Sequence, residues 1–356
     1  MRYCQAVLWS MALVAGAVVA CASSSATPRP AEQPPFMWSY ATGDYVRGAP
    51  SAANGVVYVG SDDNALHAVA ADSGSAIWQV STSDNVTARA VIADGQVCFG
   101  SWDGAIRCLD AETGSARWVR RLGGPITGDL ALLDGVLFAA SHDRRLYALD
   151  MSSGQLRWSA RTGGALEAGV TGDSGVLFAP SRDHYLYAVN AADGSIRWQK
   201  RLAGQALRPP ELGDGVLYIA TTGRMLYALD ASSGQSVWER DLGAASESSV
   251  SLHGDLVVLG TNDGRISAYS AKSGRERWRL TARGAVRSGP VSCAGRLYAG
   301  SDDHGIYAVA DDGALLWRYV TGGEVSGAPL CAEGRLYVGS TDGALHAFSV
   351  AREETP

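Results

Sequence analysis

Short apolar runs such as Val136 to Ala140 and Arg145 to Asp150 recur along the whole chain, separated by polar turns that carry glycine. The runs are rich in Val, Leu, Tyr and Phe and turn about every 8–12 residues, which is the spacing of short antiparallel strands. Tryptophan marks the period: Trp38, Trp78, Trp118, Trp158, Trp198, Trp238, Trp278 and Trp317 lie 40 residues apart, except for a final step of 39. Each period holds four strands, the content of one propeller blade. Three further strands follow Trp317, ending at Ala344 to Phe348, and none of them bears a Trp. The strand around Phe36 to Thr42 supplies the missing fourth. The pattern therefore predicts an all-β fold, an eight-bladed β-propeller of four-stranded antiparallel blades, closed by pairing the N-terminal strand with the last blade. Seven blades with a ragged end would leave Phe36 to Tyr40 apolar and unpaired.

Within the repeat, Ala68, Cys108, Ala148, Ala188, Ala228, Ala268, Ala308 and Ala347 share one register of the third strand, where a small side chain lets neighbouring blades approach. Asp150 to Gly154 and Asp230 to Gly234 combine an Asp that can bond turn N–H groups with a Gly that tolerates positive φ. The periodic Trp side chains read as inter-blade core.

The ends differ from this body. Residues 1–20 read as an export signal, with Arg2 as its positive start and an apolar stretch too short to span a bilayer. Val18-Val19-Ala20-Cys21 resembles a bacterial lipobox, which implies acylation at Cys21, and Ala22 after it implies outer-membrane sorting. Residues 21–35 read as a flexible Ser-, Ala- and Pro-rich tether, 36–350 as the propeller and 351–356 as a tail. Hydrophobic residues make up 46% of the chain and charged residues 19%, enough to build a large core. The net charge of -6 argues against a nucleic-acid partner, which calls for a basic face.

The unit Tyr-Ala-Leu-Asp-x-x-(Ser/Thr)-Gly-x-x-x-Trp, seen at Tyr147 to Trp158 and Tyr227 to Trp238, resembles the PQQ-like repeat of quinoprotein propellers over residues 36–350. Two branches share it: quinone-dependent alcohol and sugar dehydrogenases, and non-catalytic outer-membrane assembly lipoproteins known as BamB. The enzyme branch implies a calcium-held quinone and often adjacent cysteines; this chain has no Cys-Cys pair and no run resembling a calcium loop. The assembly branch implies a lipid-anchored, periplasm-facing scaffold with no cofactor, whose partner is the outer-membrane β-barrel insertase or another envelope protein. It also implies contacts through an Arg and an acid on successive inter-blade loops, for which Leu207, Arg208 and Glu247 are the counterparts. A small-ligand or glycan-binding propeller is a third reading.

Residues nine after each Trp are Arg47, Thr87, Thr127, Glu167, Leu207, Glu247, Arg287 and Ser326, a ring that varies while its surroundings repeat. Arg89, Asp129 and Arg208 lie just beyond it. These positions are expected around the channel mouth, either as partner contacts or as mutually compensating surface pairs. His142, His184 and His304 fall in turns of different blades, a poor arrangement for a metal. Cys98 opposes Cys108 if the turn between them is tight, leaving a disulfide and free thiols both open; Cys293 and Cys331 have no register argument.

Overall fold

The computed structural model describes residues 35–350, so the signal stretch, Cys21, nearly all of the tether and the tail lie outside the described residues. Among the described residues every regular element is a strand, from β1 (Phe36–Ala41) to β32 (Ala344–Ser349), and these 32 strands form eight sheets of four. Blade 1 runs outward from β2 (Ser51–Ala53) through β3 (Val56–Ser61) and β4 (Ala65–Ala70) to β5 (Ala76–Ser81), and blades 2 to 7 repeat it. Blade 8 is assembled from both ends, in the order β1, β32, β31 (Arg335–Ser340) and β30 (Leu330–Ala332). Trp38 faces Ala347 across the closing pair, so the eight-bladed, N-terminally closed ring expected above is the fold.

The core lies between blades rather than within them. Eight apolar clusters occur, one at each junction; that between blades 3 and 4 joins Leu146 and Ala148 to Leu177 and Tyr187. Leu149, on the same strand as Leu146 but of opposite parity, faces blade 2 instead. The small-residue register is fully buried from Ala68 through Cys108 and Ala148 to Ala347, as close approach of two twisted sheets requires.

Each Trp bridges a junction. The indole Nε1 of Trp158 donates to the carbonyl of Ala191 in the next blade at 3.0 Å, and the same bond, 33 residues in length, recurs from Trp38 to Trp238. The turn glycine of the neighbour has two reasons to be glycine. Gly194 sits at φ 76°, and a Cβ there would fall 2.6 Å from the Trp158 ring.

Both cysteine pairs are disulfides. Cys98–Cys108 crosses directly opposed positions of one blade. Cys293–Cys331 joins β26 (Val291–Cys293) of blade 7 to β30 of blade 8.

Candidate functional site

Loops that leave each outer strand return to the innermost strand of the next blade, and beside them lie the turns between second and third strands. Both are pinned to one face by the same device. Asp103, in such a turn, accepts the backbone N–H of Ser83 at 3.2 Å, and Asp63, Asp303 and Asp342 do the same for Gly43, Arg283 and Gly322. An Asp occupies this register in seven blades; in blade 5 it is Gly223.

In six blades the variable ring is ordered by pairing between residues 15 apart. Arg47 meets Asp62 at 3.2 Å, and Thr87 accepts from the Trp102 indole at 3.1 Å. Thr127 bonds His142 at 2.8 Å, Glu167 pairs Arg182 at 2.5 Å, Glu247 accepts from Asn262 at 2.9 Å, and Arg287 pairs Asp302 at 2.7 Å. Glu247 and Arg287 also approach each other at 3.5 Å. These pairs are partly solvated, and such contacts contribute at most about 1 kcal/mol each. Blades 5 and 8 break the rule: their ring residues are Leu207 and Ser326, and the opposite Thr222 and Thr341 accept the N–H groups of Gln205 and Glu324 instead.

The next position departs further. Gly48, Ala88, Gly128, Ala168, Ser248, Ser288 and Gly327 are all small and buried there, because adjacent loops touch: a Cβ on Gly128 would lie 2.1 Å from the Gly169 nitrogen. Blade 5 has Arg208, whose side chain is exposed and lines the central cavity. Its guanidinium has no hydrogen bond or ion pair among the described residues, while Asp129 and Glu247 act on it through space. Although it touches solvent, it is ringed by protein, and the resulting desolvation lowers its pKa, an effect those two acids oppose.

The cavity at the channel mouth has a volume of about 300 Å³. Arg47, Arg89 and Arg208 line it together with Asp129, Glu167 and Glu211. Leu207, Glu247 and Arg287 do not line it and form part of the rim. The backbone N–H of Arg89 donates to the Asp129 carboxylate at 2.9 Å, and the two side-chain charges lie 4.0 Å apart. Glu211 went unnoticed in the sequence, although a signal existed: it opens an innermost strand where the other seven blades have Ser51, Val91, Ala131, Thr171, Ser251, Val291 and Leu330. Burial raises its carboxyl above the ordinary value, with Arg89 opposing the shift.

His184 and His304 occupy left-handed turn positions at φ 71° and 67°, the place held elsewhere by Asn64 and Arg144. His142 packs edge-on against Trp102 at 5.5 Å. Among the described residues, no three His, Cys, Asp or Glu side chains stand together as a metal-ligand set.

The family model described as outer membrane protein assembly factor BamB matches residues 31–89, 63–168, 152–289 and 262–354. The crystal structure of BamB from Moraxella catarrhalis is similar, with a TM-score of 0.76 and 20% identity over 88% of this chain and 99% of that one. The computationally designed Ika8 protein matches with a TM-score of 0.76 and 16% identity, over 88% of this chain and 99% of its own. A europium-containing methanol dehydrogenase matches with a TM-score of 0.73 and 15% identity, over 88% of this chain and 93% of its own. At such identities the likeness is one of fold. No curated protein matches the chain in sequence. The matched segments overlap to cover the whole ring, and the chain belongs to the family of the outer membrane protein assembly factor BamB.

Proposed function

We propose that this chain is a non-catalytic scaffold, held to the outer membrane through an acylated Cys21 and facing the periplasm, that serves the assembly and insertion of outer-membrane β-barrel proteins. Family membership supports the role, and one observation carries the site. The repeat is broken most heavily in blade 5, where Leu207 replaces a paired polar residue, Arg208 replaces a buried small one and Gly223, in the neighbouring turn, replaces the pinning Asp. An apolar side chain beside an unpaired guanidinium is the composition of an interface anchor. Glu247 stands on the next loop and supplies the opposite charge, while Arg47, Arg89, Asp129, Glu167 and Arg287 form the charged surround that sets orientation.

Reversing both charges, Arg208→Glu with Glu247→Arg, should sharply reduce co-purification with the outer-membrane insertase while the circular dichroism spectrum is retained. Undiminished recovery rejects this site.

The likeness to a methanol dehydrogenase gives a second reading, a quinone-dependent oxidoreductase. The channel residues fit a quinone poorly, since no aromatic ring is among those lining the cavity and a flat cofactor needs a stacking face. Dye-linked alcohol oxidation after addition of PQQ and calcium would restore that reading.

A further inference from the structure

Arg208 and Glu211 are three residues apart, on the segment that enters blade 5, and both line the same cavity. Each is an exception in its own register. The other seven blades have Gly, Ala or Ser at the position of Arg208, and an uncharged residue at that of Glu211. Neither side chain has a hydrogen bond or ion pair among the described residues. Charges are expensive to keep unpaired in a partly dehydrated channel, and the rest of the ring shows how readily this fold pairs them. Two opposite charges left unpaired in one cavity mark a place kept for a ligand.

Their spacing sets the ligand's form. Pro209 and Pro210 fix the intervening backbone near φ −65°. The extended proline conformation has three residues per turn and rises about 3.1 Å per residue, so it carries positions i and i+3 on one side, roughly 9 Å apart. The six charged lining residues are three Arg and three acids, so the cavity favours no net charge. It favours separated charges of both signs. A peptide of two or three residues with free ends spans about 7–10 Å between ammonium and carboxylate.

We propose that the channel mouth binds a short zwitterionic peptide, its carboxylate on Arg208 with Arg89 near by and its ammonium on Glu211. The volume of about 300 Å³ lies at the small end of ligand cavities, which suits a di- or tripeptide and not a folded partner. This goes beyond the scaffold role. The rim would hold the protein partner, the channel the peptide, and Arg208 would serve both.

Calorimetric titration of the full-length protein with triglycine, N-acetyl-triglycine and triglycine amide tests the proposal. Triglycine should bind, and blocking either end should weaken it by about tenfold or more, since each block deletes one charge-assisted contact. Glu211→Gln should abolish the preference for the free amine but leave capture of the insertase unchanged, because Glu211 lies below the rim. Arg208→Ser, a residue this register already accepts, should abolish the preference for the free carboxylate. Absence of triglycine binding, equal binding of the blocked peptides, or a Glu211→Gln variant that still prefers the free amine would overturn it. An Arg208→Ser variant that still prefers the free carboxylate would overturn it as well.

Discussion

Cys293 is bonded to Cys331 across the junction of blades 7 and 8, and both lie on innermost strands. They are 38 positions apart in sequence, and the bond closes the chain between them into a loop. Chain entropy assigns such a loop about 4 kcal/mol of constraint on the unfolded state. Breaking this bond acts on the same blade that the N-terminal strand completes. Cys331→Ser should therefore lower the Tm by roughly 5 °C, and reduction of the unmodified protein should lower it by at least as much. Equal melting curves with and without reductant would mean that the bond does not constrain the ring.

Arg208 stands where its counterparts are small and buried, and Ser248 and Ser288 occupy that place without strain. Arg208→Ser should thus leave stability unchanged or raise it by about 0.5–1 kcal/mol, the usual direction when a functional exception is returned to a consensus. Urea unfolding would detect this. A clear loss of stability would make Arg208 a structural residue.

Burial pushes the Asp103 carboxyl up, but hydrogen bonds from Arg107 and from the N–H groups of Ala105 and Ser83 outweigh it and bring the pKa down to about 2. An unfolded Asp titrates near ~3.9, so the folded group is depressed and the unfolded chain binds the proton first. The stabilisation is present above about pH 4 and is lost as pH falls through 2. Arg107 takes the strand register that Ser267 fills in blade 6, so Arg107→Ser should fold and removes the side-chain donor to Asp103. Its unfolding free energy should fall less steeply than that of the unmodified protein between pH 4 and 2, as followed by Trp fluorescence. Identical acid limbs would show that Arg107 does not hold Asp103 low.

The number of blades and the closure are legible because the Trp period counts the sheets and the three strands after Trp317 ask for a fourth. Leu207 and Arg208 are legible for the same reason: a repeat makes its own exceptions visible. Glu211 carries an equal signal at the first residue of the inner strand, but that strand is only three residues long and has no periodic marker of its own to fix the register. The 15-residue pairing of Arg47 with Asp62 or Arg287 with Asp302 was hidden because it appears only when two variable positions are read together. Cys293 and Cys331 were opaque within a strand but are nearly one period apart, which is the separation of neighbours across a junction. The Trp158 bond to Ala191 needs the three-dimensional stacking of two sheets, which no local pattern encodes.

No blade owns its apolar filling; each cluster is half contributed by the sheet beside it. Melting of any one sheet would strip cover from two others, and theirs from the next, so disruption has no place to halt short of the full circle. Changes confined to the loops above touch none of that filling. Such a body can alter what it recognises at one edge while its cohesion stays as it was.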